Sequence, residues 1–384
     1  MRAVHLRKSF LSLSQTFIYD SIRALTECGI DVHVVTPERE NEEMYPFDNV
    51  HVVPWPSLLH PGVLFERIRG MLRTGKREPS MWPIFRARLK EKIRKLSPDV
   101  LHAHFGKEGV WLAPVAASLD VPLVISFYGY DLSQLVQRSL WRKKYRDVLW
   151  PAADAAVFLS RDMEKDARRL GFNGEGHIVH LGRDLNQFPY RPPDRSVRRF
   201  LTVGRLVPKK GHRDAIRAVE RISESGSDVH LRIVGDGPLH SDLQRYVEEN
   251  ELQDVIEFAG AKPSDEIPDE LRRADAFLLC SKVAESGDKE GTPTVLVEAQ
   301  ATGLPCVSTR HAGIPETVPS ANHRFLAPEG DVEAIRNCLE RLMDASLEEV
   351  RQVSRAGRDH VEKNFSIRKE VRKITEIYRN VKYK

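Results

Sequence analysis

The sequence predicts an α/β protein of two domains, each a parallel sheet with helices on both faces. Three observations carry this. Short apolar runs alternate with helical patterns from end to end, as strand–helix units do. At 384 residues the chain exceeds what one ordinary core organises. The proline-rich stretch FPYRPPDRSVRR, Phe188 to Arg199, separates two series of such units as a linker does. The expected units are 1–190, 198–365 and a basic helix over 366–384 that packs back across the first domain. Ligands of such sheets gather at the carboxyl ends of strands, and two facing domains imply a cleft.

In the first domain strands are expected at Val4–Leu6, Val32–Thr36, His51–Pro54, Val100–His104 and Leu123–Phe127. Helices are expected near Gln15–Cys28, Lys107–Leu119 and Leu140–Trp150. The loop after the first strand, SFLSLSQT, lacks the glycine-rich dinucleotide fingerprint, which argues against a nicotinamide enzyme. Its Ser14, or Thr16, can contact a ligand, although capping the helix is the plainer job. His102 and His104 share one face of a strand. With no carboxylate or cysteine beside them, His102 reads as a buried, hydrogen-bonded histidine rather than a metal ligand. His104, at the strand end, is expected to face the cleft. In SFYGYDLSQ, Tyr128 and Gly129 sit at the end of the next strand. Asp131 with Gln134 reads as a capping box.

In the second domain strands are expected at Phe200–Val203, His230–Val234, Ile256–Phe258, Ala276–Leu279 and Cys306–Ser308. FLTVGRLVPKKG ends a strand at Gly204, puts Arg205 at its tip and Lys210 five residues later. A guanidinium and an ammonium so placed can hold a diphosphate, though ordinary surface cations look the same. Gly235, in VGDGP, and Ala261, in FAGAKP, mark two more strand-end turns, the latter suited to reading a base edge. The most informative stretch is KEGTPTVLVEAQATGLP, Lys289 to Pro305. Thr292 is a good N-cap, Pro293 suits the first helical position and Gly303 ends the helix. The free N–H groups at such a helix start bind phosphate. Glu290 before the helix and Glu298 inside it, with seven residues between, can accept hydrogen bonds from sugar hydroxyls.

Composition excludes several classes. Hydrophobic content of 41% and charged content of 30% fit a soluble globular protein, and a net charge of +4 creates no field that demands nucleic acid. The four widely spaced cysteines point away from a disulfide framework or zinc site, and towards a reducing, cytoplasmic compartment. The N-terminal apolar run is too short for a signal peptide, and no stretch is apolar enough to span a bilayer. Residues 66–98 carry eleven Lys or Arg against three Glu, with Trp82 and Phe85 interleaved. That basic amphipathic pattern fits peripheral docking on an anionic membrane surface or a phosphate-bearing acceptor, or simply a solvated face.

GRLVPKKG followed by EGTPTVLVEAQATGLP resembles the donor domain of family 4 glycosyltransferases, the retaining GT-B clan, whose signature is Glu-x7-Glu. SLSQTFIYDSIRALTECGIDVHVVT and LHAHFG…VISFYGYDLS resemble its exopolysaccharide and lipopolysaccharide branch, so the likeness spans nearly the whole chain. It implies two Rossmann-like, doubly wound domains facing each other across a cleft. It further implies transfer of a hexose from a nucleoside-diphosphate sugar, UDP before GDP, to a hydroxyl of a saccharide or lipid-linked saccharide. Retention at the anomeric carbon, and no cofactor or metal, are implied too; the sequence has no DxD run. Arg205 and Lys210 would bind the diphosphate and Glu298 the ribose. Glu290 would contact the sugar, while Gly204, Gly235, Ala261 and Gly291 to Thr294 (Thr292 and Pro293 between) would complete the donor site. Arg205, Lys210 and Glu290 would be the catalytic set. Ser14, His104, Tyr128 and Gly129 would lie on the acceptor side. Tyr128 replaces the histidine of the family's [ST]FHGxD-like run, and SLSQ replaces its glycine-rich acceptor loop. Two other readings share the fold: a non-hydrolysing sugar-nucleotide epimerase and a non-catalytic sugar-nucleotide-binding subunit.

Overall fold

A computed structural model describes residues 1–10, 16–57 and 82–383. The first half carries strands β1 (Arg2–Leu6), β2 (Ser9–Phe10), β3 (Asp31–Thr36), β4 (Glu38–Arg39), β5 (Val50–Val52), β6 (Val100–His104), β7 (Leu123–Ser126), β8 (Ala155–Phe158) and β9 (Gly176–Ile178). The second half carries β10 (Arg199–Val203), β11 (His230–Val234), β12 (Ile256–Gly260), β13 (Ala276–Leu279), β14 (Cys306–Thr309) and β15 (Leu326–Ala327). They form two main sheets, ordered β5-β3-β1-β6-β7-β8-β9 and β12-β11-β10-β13-β14-β15, with β2 and β4 as a small separate pair. Neighbours in both main sheets run parallel.

Central strands such as Val100–His104 are buried along their whole length, as a parallel strand between two helical layers must be. Each sheet therefore has two cores, one per face. Strand order reverses between β1 and β6 in the first sheet, and between β10 and β13 in the second. Those two switch points open the crevices where such sheets bind ligands.

The sequence reading named most strands of the main sheets but missed β8, β9 and β15, and the short pair β2 and β4. The run AAVF of β8 carries little β-branched character, and only its fit between β7 and β9 makes it a strand. The expected helix Leu140–Trp150 is broken instead: Ser139–Lys144 is α-helical, Tyr145–Leu149 forms a wider turn, and Trp150–Ala152 closes it. Pro151 has no N–H for an α-type bond, and the wider turn is closed by Trp150 donating to the Tyr145 carbonyl. Of the basic segment, 66–81 lies outside the described residues. Trp82 and Phe85, in the helix Trp82–Leu96, pack inward on Trp55 and Trp111.

The chain crosses between the lobes twice, and the crossings are tied together. Arg183 donates its N–H to the Phe365 carbonyl at 2.8 Å, and Ile367 donates to the Arg183 carbonyl at 3.0 Å. Beyond this tie the helix Ile367–Lys382 lays Val371, Ile374, Ile377 and Tyr378 on the first lobe, beside Ile18 and Ile22.

One glycine fixes the relative height of two strand ends. Gly235 has φ +147°, and a Cβ there would stand 2.0 Å from the Gly204 carbonyl oxygen. Gly235→Ala must therefore part the β10 and β11 turns. A loss of about 3 kcal/mol is expected in chemical denaturation, from strained φ and overpacking together.

Candidate active site

The β10/β13 crevice opens towards the first lobe as a cavity of about 430 Å³. Gly204, Arg205, Lys210, Glu290, Gly291, Thr292, Pro293, Thr294 and Glu298 line it from the second lobe, and Phe17, Tyr128, Leu159 and Leu181 from the first. Arg205 leaves the tip of β10 exposed, with no carboxylate partner among the described residues. Lys210 pairs with Glu290 at 3.1 Å, and Lys209 with Asp288 at 3.2 Å. Burial pushes the Glu290 carboxyl up, but Lys210 and Lys209 outweigh it and hold it below the usual range.

The helix opening on this cavity starts one residue later than expected. It runs Thr294–Thr302 with Pro293 in the cap position, and Gly303 ends it at φ 101°. Thr292 does not cap it. Its hydroxyl donates instead to the Leu159 carbonyl of the first lobe at 3.2 Å, a partner that local sequence could not show. Leu296 donates its N–H to the Pro293 carbonyl at 3.0 Å, and the N–H groups of Thr294 and Val295 have no acceptor within the helix, so the helix presents partial positive charge to the cavity.

Glu298 meets a residue the sequence reading missed. Arg183 reaches its carboxylate at 2.9 Å and Asp20 at 2.8 Å, bridging the two lobes. Burial raises the Glu298 carboxyl, with Arg183 opposing. A second missed residue is His311, just past the end of β14. Its Nε2 accepts the Glu290 backbone N–H at 3.0 Å, so its proton sits on Nδ1, bound to Glu329 at 2.8 Å. Position at the carboxyl end of a strand was the one available signal for it. Lys289 adds a third tie between the lobes, to Asp162 at 2.7 Å and to Asp166.

Other expected site residues lie elsewhere. Ser14 is outside the described residues. Gly235 underlies Gly204 and does not line the cavity; Ala261 follows the edge strand β12, two strands from the crevice. Gly129 packs against the 289–291 backbone. Asp131 caps no helix of its own. Its carboxylate accepts the N–H groups of Tyr128, Gly129 and Gly106 at 3.1 Å each, and burial pushes it up to about 6.

His104 does not face the cleft; it is buried behind Tyr128. A chain of hydrogen bonds runs Tyr128 hydroxyl to His104 Nδ1 (2.6 Å), His104 Nε2 to His5 Nδ1 (2.9 Å), and His5 Nε2 to the Tyr378 hydroxyl (3.1 Å). It continues from Tyr378 to His102 Nδ1 (2.5 Å) and from His102 Nε2 to the Ser126 hydroxyl (2.7 Å). The three histidines offer nitrogen atoms within 4.8 Å of one another, a spacing open to a metal, but all six ring nitrogens already have partners. Burial keeps each imidazole neutral, His102 down to about 3.

Models for two families match in tandem: Glycosyltransferase Family 4 over residues 14–187 and Glycosyl transferases group 1 over residues 187–360. The chain is 30% identical over 351 residues to the amylovoran biosynthesis glycosyltransferase AmsK of Erwinia amylovora, covering 90% of this chain and 84% of that one. The chain belongs to these glycosyltransferases. It is also 33% identical over 273 residues to the putative colanic acid biosynthesis glycosyltransferase WcaL of Escherichia coli K12, 70% of this chain and 67% of that one. In three dimensions it is similar to Anabaena Alr3699/HepE in complex with UDP, with a TM-score of 0.80 at 17% identity over 99% of this chain and 100% of that one. That likeness shows the GT-B fold of this glycosyltransferase.

Two outcomes test the site's internal supports. Arg183→Met leaves Glu298 buried without its cation, and a loss of about 3 kcal/mol is expected in denaturation. Adding Glu298→Gln should recover part of it. For His102, the unfolded chain takes a proton near the ordinary 6.5 while the folded chain refuses one until about 3. Stability from a neutral His102 is thus present above pH 6.5 and lost as pH falls below it. Glu370, raised to about 7 by burial, works in the opposite sense, so a difference is the proper readout. The stability gap between wild type and His102→Asn should be about 2 kcal/mol smaller at pH 5 than at pH 7. An unchanged gap would mean that His102 takes a proton as readily in the fold as in the unfolded chain.

Proposed function

We propose that this glycosyltransferase moves a hexose-type sugar from a nucleoside-diphosphate sugar to a hydroxyl of a saccharide acceptor, retaining the anomeric configuration. The observation that carries the reading is convergence. Arg205, Lys210 and the amino end of the Thr294–Thr302 helix line one cavity with Glu290 and Glu298. Positive charge from three sources meets where a departing diphosphate would sit, and fixed cations and dipoles stabilise charge as it develops. Cations of the protein then serve where other transferases use a divalent ion.

In this reading Glu298 takes the ribose hydroxyls and Glu290 those of the sugar. Lys210 exchanges part of its contact with Glu290 for a phosphate oxygen. The leaving phosphate itself accepts the acceptor's proton, so no carboxylate need attack the sugar. Donor choice is UDP before GDP, supported by the UDP and UDP-glucose complexes of the structurally similar HepE. Acceptor choice is a saccharide of a cell-surface polysaccharide, free or lipid-linked, supported by the names of WcaL and AmsK. No described helix is long and apolar enough to cross a membrane. A cytoplasmic protein touching the inner leaflet through the basic outer face of Trp82–Leu96 fits that acceptor.

Arg205→Ala and Lys210→Ala should each lower turnover by about 100- to 1,000-fold while the thermal midpoint of the free protein stays near wild type. UDP should raise that midpoint in the wild type and much less in either variant. Turnover near wild type in both variants would sink the assignment. Epimerised donor in the absence of acceptor would instead support an epimerase.

A further inference from the structure

The second lobe's switch point holds the proposed donor site; the first lobe has a switch point too, between β1 and β6. Its two loops put cations together. Arg7 and Lys8 follow β1 directly, and Lys107 stands in the first turn of the helix Gly106–Leu119 that follows β6. Lys144, at the end of Ser139–Lys144, joins them through Trp141. Its ammonium lies 4.7 Å from that ring's centre, and the Lys107 ammonium lies 5.8 Å from the same ring.

The charges are not balanced. Two carboxylates are at hand and both are committed: Glu108 pairs with the Arg7 guanidinium and accepts the Lys8 N–H at 3.1 Å, and Asp131 accepts the Gly106 N–H with those of Tyr128 and Gly129. The ammonium groups of Lys8, Lys107 and Lys144 make no ion pair among the described residues. Lys107 also occupies the positive end of a helix, where a cation is disfavoured. Burial, and then Lys8, Arg7 and Lys144, hold its ammonium below the ordinary range despite Glu108. Like charges gathered at a ligand-binding crevice cost stability in the free protein and return it when an anion arrives.

The cluster adjoins the cleft. The Arg7 guanidinium lies 4.3 Å over the Phe105 ring, and that ring packs 4.6 Å from Tyr128, which lines the cavity. We propose that Lys8, Lys107 and Lys144, with Arg7, form a second anion site that holds a phosphate or carboxylate group of the acceptor. This rests on the transferase reading for the word acceptor; the anion site itself does not. A negatively charged acceptor has two sources, a polyprenyl diphosphate or an acidic sugar.

Calorimetric titration of the full chain carrying Arg205→Ala and Lys210→Ala silences the donor cavity, so binding of an anion reports the first lobe. The probes are geranyl diphosphate and digalacturonate, each at about 50 mM and about 300 mM salt, where screening of exposed charge differs strongly. Saturable binding of one probe, weakened about tenfold or more by adding Lys8→Gln, Lys107→Met and Lys144→Met, is the expected result. Weaker binding at the higher salt should accompany it, and the tighter probe identifies the source. Circular dichroism and the thermal midpoint of the five-fold variant check that it is folded, and Lys144→Met alone serves if it is not. Binding of neither probe, or equal binding with and without the lysines, overturns the proposal. Failure of the transferase reading shows separately, as the absence of an effect of Arg205 and Lys210 on turnover.

Discussion

Strand polarity is the constraint on which this molecule depends. Because neighbouring strands in each main sheet run parallel, their carboxyl-end loops leave from one edge. The two lobes turn those edges towards each other. What the loops carry is mostly charge: Arg205 and Lys210 on one side, Arg7, Lys8 and Lys107 on the other. An aromatic pair, Phe105 and Tyr128, lies between the second group and the cavity. A glycosyl transfer brings a nucleotide-sugar donor and a saccharide acceptor together, and a gap faced by the loops of both sheets is where the proposed donor site lies.

The seam between the lobes is held by charge as much as by apolar packing. Arg183 joins Asp20 to Glu298, Lys289 joins the loop before the site helix to Asp162, and Thr292 bonds Leu159. A buried pair of this kind adds little over a well-packed apolar contact, yet removing one partner is costly. It therefore serves geometry more than stability. Glu298 is held in place by a residue of the crossing between lobes, so a change in the angle of the lobes is felt at the carboxylate. His311 does the same for Glu290 through a backbone N–H, with Glu329 behind it fixing the tautomer.

On the first lobe Tyr128, which stands where the resemblance leads one to expect a histidine, is tied into a buried polar chain. The tyrosine hydroxyl is the last member of a relay of three neutral imidazoles and a second tyrosine, Tyr378, contributed by the C-terminal helix. Every ring nitrogen in the relay has a partner, which satisfies a deeply buried polar group without any charge. The last helix is thereby tied to a residue of the cleft wall.

The sequence by itself determined the fold class, the order of the central strands along the chain and the stretches that line the cavity. Periodicity and end signals are local, and for Val100–His104, His230–Val234 and Ala276–Leu279 local signals placed the boundaries residue for residue. The glycine stop at Gly303 was equally legible. Tertiary structure alone decided where polar side chains spend their hydrogen bonds. Thr292 and Asp131 carry good capping patterns but cap no helix that follows them: Thr292 donates to Leu159 of the other lobe, and Asp131 takes the N–H groups of its neighbours Tyr128 and Gly129 and of Gly106, which opens a different helix. Arg183 and His311 carry no local pattern and hold the two glutamates of the site, since an ion pair or hydrogen bond depends on distance in space and not along the chain.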